Sequence, residues 1–430
     1  MDETRFESTF SKNTKFLPES SSSNSPKTPK RPYFIFSIFL YVVIFSNFDT
    51  GVIPAALKPI NKDLFLSQVE MAAIGSLPFF GISFASLMVS SIMRFFGTKK
   101  TLFIALLMNV VCSMWFAFSY DLINMYISRF FMGFTQAFWV VYGPVWTNHF
   151  SPRNQHTTWL GILQGFSPIG IILGYVLTAI LVNNWTNGFS WRMGVLIQAL
   201  GELPILFMFF WLTNRDVDIN EGFNSERLTN TNEKSRNVAV KTFKALFRNF
   251  IYILAVCTNC VAFFVVFGLQ FWGTLYIIDI LNEDTRTAMV TYTIITITAP
   301  FFGVFLGGFI SDKCGGYKGK QVLTALKLCL GFSFIGSFFG LWLGFVFTLH
   351  FWVPIVWLQI FFGACLIPPG SGVVVNSVEK EFQTSASGMA QLVYNIMGYF
   401  LSPLFSAFIM ERFNDRLEGM IWGYFLILLY

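Results

Sequence analysis

The chain predicts an all-α membrane protein with twelve transmembrane helices in two pseudo-symmetric bundles of six. Three observations predict it. In 430 residues, 54% are hydrophobic and only 12% are charged, about half the charge of an ordinary soluble domain, which runs near ~25%. The apolar runs are long enough to cross a bilayer, which takes about 20 helical residues at ~1.5 Å each. A short basic turn also occurs twice, six helices apart: Ser90-Ser-Ile-Met-Arg94-Phe-Phe-Gly97-Thr-Lys-Lys100 and Gly308-Phe-Ile-Ser-Asp312-Lys313-Cys-Gly315. Duplicated sets of apolar helices joined by matching turns are what a carrier built from two repeats produces.

The elements follow in order. Residues 1–32 form a polar tail, Ser/Pro/Lys-rich over 20–32. It lacks the apolar core and small-residue cleavage site of a signal peptide, and its composition predicts a disordered cytosolic segment. The first bundle, 33–213, carries apolar runs at 34–57, 71–93, 101–119, 122–148, 157–182 and 191–213. A mixed-charge stretch at 214–249 is the linker between halves, and within it 238–247 has the pattern of a short amphipathic helix or of a simple solvated connection. The second bundle, 250–430, carries runs at 250–277, 288–310, 322–347, 351–376, 385–409 and 419–430. The last is short for a span and predicts a truncated or tilted helix.

Orientation follows from Lys and Arg. With the amino end inside, 22 of the 29 fall in the tail, the linker and the other inner loops, the asymmetry expected of cytosolic segments. The net charge of +6 is then a product of topology, and no basic folded surface for nucleic acid is predicted. The sequon Asn184-Trp-Thr186 falls in an outer loop, close to the membrane.

Several chemistries are excluded. Cys257-Thr-Asn-Cys260 has metal-site spacing but lies inside a span with no second pair and no nearby His, so no tetrahedral site forms. Gly315-Gly-Tyr-Lys-Gly-Lys320 superficially resembles a phosphate loop, yet the spacing fails and Gln321 stands where Ser or Thr is required. The histidines at 149, 156 and 350 lie at loop edges without paired acids, so no enzyme centre and no cofactor are expected.

Ionisable groups within the spans remain. Each costs ~2.5 to 3.5 kcal/mol at mid-membrane on the insertion scale, which makes the few present functional candidates. Asp49 in the first span and Arg129 in the fourth come to the same depth when counted from their helix ends at ~1.5 Å per residue. An Asp and an Arg that meet lower each other's burial cost, and a proton or an anionic substrate can compete for one partner. The alternative is a permanent ion pair tying two helices. Gln136 shares the Arg129 face. Glu202, beside Pro204, is read as a packed protonated acid or a proton carrier. Lys327 lies near a helix end and snorkels. Polar stripes with Asn259, Phe263, Gln270 and Trp272 in the seventh span, Gln391 and Asn395 in the eleventh, and Gln164 in the fifth are expected to line a cavity suited to a partly apolar ligand. The pairs Gly161/Gly165, Gly170/Gly174, Gly303/Gly307 and Gly340/Gly344 predict close helix packing.

Two halves of six spans, the Gly308 to Gly315 turn, Arg129-Phe-Phe-Met-Gly133 and Pro168-Ile-Gly-Ile-Ile-Leu-Gly174 together resemble the major facilitator superfamily across essentially the whole chain. Within it, the run from Arg129 through Tyr175, Trp191-Arg192 and Ser402-Pro-Leu-Phe-Ser-Ala-Phe-Ile resemble spinster-like transporters, although Thr50 stands where that branch has Arg after the Asp. Asp49-Thr-Gly-Val-Ile53 is also similar to the first helix of sugar porters. The resemblance implies secondary transport by alternating access, with Asp49, Arg129 and Gln136 as coupling or substrate residues and protons as a candidate coupling ion. The expected substrate is an amphipathic lipid-like or small organic solute. The alternatives are a sugar-porter-like carrier of a small polar solute and a transporter-shaped sensor without flux. A monomer in the plasma membrane or an endolysosomal or vacuolar membrane is expected.

The signature turn departs from the family in the first half, where Arg94 occupies the Asp position and Ser90 the first Gly position, while Asp312 keeps the pattern in the second. In the family that Asp meets a helix start, where an anion is favoured; an Arg there needs an acid. Glu379 and Glu381 precede the eleventh span, so the expectation is a reversed latch, Arg94 with Glu379 or Glu381. Gly97, Gly308, Asp312, Lys313 and Gly315 complete the expected gate, with Asp312 acting near His156 and Thr157.

Overall fold

The structure is a computed structural model that describes residues 31–152, 156–184, 190–218, 246–316, 321–343, 345–378 and 383–429. The first half holds α1 (Pro32–Leu64), α2 (Gln68–Phe96), α3 (Thr98–Phe118), α4 (Leu122–Phe150), α5 (His156–Asn184) and α6 (Ser190–Trp211). The second holds α7 (Phe250–Asp279), α8 (Thr285–Lys313), α9 (Val322–Leu343), α10 (Leu349–Cys365, resuming as Ile367–Asn376), α11 (Gln383–Val393, a π-helical Tyr394–Phe400, then Leu401–Met410) and α12 (Arg416–Leu429). Helix starts are capped by short polar side chains that satisfy otherwise orphaned N–H groups. Ser67 forms a capping box with Glu70, and Asp121, Asn249 and Asp284 accept from Asn124, Tyr252 and Thr287 N–H.

Ten helices among the described residues are long and apolar enough to cross a membrane. The two outside that group are α4, whose Asn124, Ser128, Arg129, Thr135 and Gln136 dilute its hydropathy, and α12, which is 14 residues long. The chain is thus an all-α, multi-pass membrane protein.

Helix pairing repeats between halves. In the first, α1 packs on α5, α2 on α4, and α3 on α4 and α6; in the second, α7 packs on α11, α8 on α10, and α9 on α10 and α12. Glycine makes the tightest crossings. A Cβ on Gly51 would overlap the Ile171 carbonyl of α5, and Cβ atoms on Gly170 and Gly174 would overlap the Ile44 and Phe48 carbonyls of α1. Gly303 and Gly307 bear on Phe361 and Cys365 of α10 in the same way. Gly165 departs from the expected packing, since nothing lies within 4 Å of a Cβ there. Gly97 (φ +83°) and Gly315 (φ +98°) close the two copies of the repeated turn in a backbone conformation that side chains disfavour.

Boundaries differ from the sequence reading in several places; α1, for one, runs on to Leu64 rather than 57. α9 ends at Leu343 rather than 347, and α10 is interrupted at Leu366. The interruption has a direct cause: Pro368 and Pro369 cannot donate to the preceding turn, so the helix restarts with them at its first positions.

The halves meet through α1 with α7, α2 with α11, and α5 with α8. Polar ties cluster at the end of the bundle where α1 finishes and α2 begins. Lys58 lies 3.9 Å from Asp279, which also accepts from Arg416 at 3.1 Å. Val69 N–H donates to Glu411 at 2.9 Å. Deeper in, the Tyr175 hydroxyl pairs with that of Thr274, and the Tyr175 and Tyr292 rings lie 6.0 Å apart. This end is closed.

Candidate functional site

Four helices assemble one buried polar centre. Asp49, on α1, and Arg129, on α4, are each 1% exposed. Arg129 Nη1 donates to Asp49 Oδ2 at 2.7 Å, its Nε donates to the Ile74 carbonyl of α2 at 2.9 Å, and its guanidinium lies 5.2 Å from the Phe116 ring centre of α3. Gln136, two turns along α4, donates to Asp49 Oδ1 at 3.5 Å. Both carboxylate oxygens and two edges of the guanidinium thus have partners, which is what allows such a pair to persist without water. Gly51, where α1 crosses α5, lies two residues from Asp49.

A second acid belongs to the same centre. Glu202 on α6 is 1% exposed and near enough to Asp49 for their charges to interact, while its Oε2 has no hydrogen-bond partner. One turn earlier on α6, Gln198 is fully buried and interacts with the Glu202 carboxyl. The sequence marked Glu202 as buried and left its role open; only the fold brings it beside Asp49.

In the second half the polar stripes are placed unevenly. Asn259 is fully buried against Gly370 of α10, donating to Tyr394 Oη at 3.2 Å and Ser371 Oγ at 3.4 Å. Trp272 is also fully buried, its indole N–H donating to the Pro403 carbonyl at 3.4 Å. Both lie within helix packing. Phe263 and Gln270 are half-buried, Gln391 and Gln164 are exposed, and Asn395 is buried while accepting from Gln391 Nε2 at 3.4 Å. Cys257 is exposed and Cys260 buried, and no metal-binding cluster of His, Cys, Asp and Glu occurs among the described residues.

At the turns, Arg94, Asp312 and Lys313 are exposed, and Lys313 Nζ lies 4.6 Å from the Phe309 ring centre. Gly308 faces Pro368 of α10. Glu379 and Glu381, and with them the expected pairing to Arg94, lie outside the described residues, as do the His156 and Thr157 side chains. Sequence reading missed the ties at the closed end, Tyr175 with Thr274 and Asp279 with Lys58 and Arg416. The one available signal was that Lys58 and Asp279 fall at matching ends of α1 and α7, equivalent helices of the two halves.

A buried charge pair inside the first of two matched bundles, which are tied together at one end, fits one class: multi-pass membrane carriers. The Major Facilitator Superfamily model matches residues 39–403, and the chain belongs to that superfamily. It is a membrane transporter, not an enzyme. A hexuronate transporter of Bacillus subtilis (strain 168) is 25% identical over 411 residues, covering 91% of this chain and 90% of that protein. A probable sphingolipid transporter, spinster homolog 3 of Arabidopsis thaliana, is 24% identical over 298 residues, 64% of this chain and 55% of that protein. Among solved structures, a bacterial homolog of the human lysosomal transporter spinster, inward-facing and unoccupied, matches with a TM-score of 0.72 at 13% identity, covering 93% of this chain and 94% of that one. The fold is therefore that of the superfamily, and it is similar to that of this spinster homolog.

Proposed function

We propose that the chain is a secondary transporter with twelve spans in two six-helix halves, 33–213 and 250–430, that moves an amphipathic lipid-like or small organic solute by alternating access. The observation that carries this reading is the buried Asp49–Arg129 pair with Gln136 on its second oxygen. A proton on Asp49 removes the attraction that holds Arg129. α1 and α4 are then free to re-pack, which links proton occupancy to conformation. Glu202, buried near Asp49 with Gln198 one turn away on the same helix, is the acid that shares this proton.

The Lys and Arg distribution supports a cytosolic amino end. In that orientation the closed end faces outward and the Arg94 and Asp312 turns face the cytosol. Phe263, Gln270, Gln391, Asn395 and Gln164 supply the cavity wall, and Gly97, Gly308, Asp312, Lys313 and Gly315 the inner gate, with Arg94 paired to Glu379 or Glu381. The protein works as a monomer in the plasma membrane or an endolysosomal or vacuolar membrane. A sugar-porter-like reading is favoured by one observation, the Asp49-Thr-Gly-Val-Ile53 segment, together with the fold's likeness to a D-xylose–proton symporter (TM-score 0.66).

The test is solute flux in proteoliposomes with and without an imposed proton gradient. Gradient-driven uptake that falls to passive exchange in Asp49→Asn is expected. Gradient-driven uptake unchanged in that variant refutes the assignment of Asp49.

A further inference from the structure

A cavity of about 590 Å³ opens on the surface of the first half, between the last turn of α3 and the first turn of α4. Small-ligand sites run ~300 to 1,000 Å³. Its wall holds Met114, Trp115, Phe118, Tyr120, Asp121 and Asn124, none of which belongs to the Asp49 centre. Trp115, Phe118 and Tyr120 are exposed rings, and Asp121 is the charged side chain in that wall. Asp121 caps α4 through Oδ2, which accepts from the Asn124 N–H and from Asn124 Nδ2 at 3.3 Å each, while Oδ1 takes no part in the cap.

Arg192 of α6 backs the loop between the two helices. It is 3% exposed, its Nη1 donates to the Ala117 and Ser119 carbonyls at 2.7 and 2.6 Å, and its guanidinium lies 4.2 Å from the Tyr120 ring centre. Its charge is thus met by the carbonyl end of α3, and one face of Tyr120 is taken. Trp115, Phe118 and the Asp121 carboxylate are left to a ligand. Aromatic rings alone are usual at a membrane interface. A carboxylate set among them in a concave site is selective: it favours a cation, and the ring faces favour one that sheds water readily, which is how quaternary ammonium groups are recognised.

The face of α3 that leads away from the cavity is apolar and open. Val111, Met108 and Ile104 continue the line of Phe118 and Trp115 at intervals of three and four residues, and all five are exposed. From Phe118 to Ile104 the line runs ~21 Å at ~1.5 Å per residue, longer than one leaflet's half of a ~30 Å hydrocarbon core. A cavity suited to a cationic group, continued by an apolar track, has the outline of one phospholipid.

We infer that this cavity binds the choline headgroup of a phospholipid in the leaflet on the closed side, with an acyl chain lying along the α3 track. The lipid occupies a fixed place on the outer wall of the first half, apart from the Asp49 centre. The inference goes beyond the carrier reading and does not depend on it.

The test is native mass spectrometry of the delipidated full chain titrated with dioleoyl-phosphatidylcholine, dioleoyl-phosphatidylethanolamine and dioleoyl-phosphatidylglycerol. The first phosphatidylcholine is expected to bind about threefold to tenfold more tightly than either other lipid, the range of a partly desolvated cation–π contact. Trp115→Leu and Asp121→Asn are each expected to bring phosphatidylcholine to the level of phosphatidylethanolamine and to leave phosphatidylethanolamine unchanged. Asn still caps a helix start, so the second variant keeps the fold; Phe118→Leu replaces Trp115→Leu should that one fail to fold. Free phosphocholine at the lipid's concentration is expected not to displace it, because it has no chain to lie on the track. Equal binding of the three lipids, preference for phosphatidylglycerol, a choline preference kept in the folded variants, or displacement by free phosphocholine overturns the inference.

Discussion

Asp49→Asn isolates the charge of the central pair, because it keeps the shape and one acceptor of the side chain. At 2.7 Å and an effective dielectric of about 20, the lost attraction is about 6 kcal/mol in gross terms. The amide oxygen of Asn still accepts from Arg129, and the guanidinium keeps the Ile74 carbonyl and the face of Phe116. The net cost is therefore expected at about 3 to 5 kcal/mol, the range for stranding one member of a buried pair. It is read as a shift in equilibrium unfolding in mixed micelles. Arg129→Gln alone is expected to cost a similar amount, and the double variant is expected to recover most of the loss, since neither charge is then left unpaired. A single-variant cost below about 1 kcal/mol, or a double variant equal to the sum of the singles, would refute the reasoning: the groups would then be solvated or independent of one another.

Three other outcomes are expected. Tyr175→Phe removes one buried hydrogen bond between halves and should favour opening of the sealed end by about 1 kcal/mol, seen as a longer spin-label distance between positions 62 and 282. Asp279→Asn should change stability by less than about 1 kcal/mol and lose even that in high salt, because Lys58 and Arg416 are 51% and 59% exposed. Hydrogen bonding from Thr287 holds the Asp284 carboxyl below its ordinary range. A depressed carboxylate contributes stability above its unfolded value and loses it as pH falls through the folded one, so any stability gap to Asp284→Asn at pH 7 should close as the pH drops below about 3.9.

The depth of Asp49 and Arg129 was legible because each lies a countable number of residues from a helix end, and rise per residue converts count to height. Which helices touch was not read from the sequence, and duplication says only that whatever pairing holds in one half, α1 with α5, recurs in the other as α7 with α11. Facing was not legible. Helical spacing puts Asn259, Phe263 and Gln270 on one stripe but is silent on whether that stripe looks at water or at α10. Nor was the π segment, since a change of one backbone hydrogen-bond ring leaves no mark in residue types. Tyr175 and Thr274 lie 99 residues apart in different halves, and no local pattern connects them. The break in α10 was readable at Pro368 and Pro369, and a merely continuous apolar run obscured it.

The glycine crossing of α1 and α5 has a mechanical consequence. Backbone lies directly on backbone there, with no layer of side chains able to slip. The Tyr175 backbone nitrogen is among the atoms that a Cβ on Gly51 would strike. Tyr175 at the sealed end and Asp49 at the centre therefore sit on a single stiff lever with a very short arm. Force applied to the seal reaches the carboxylate with almost no compliance, and the two helices can tilt only together.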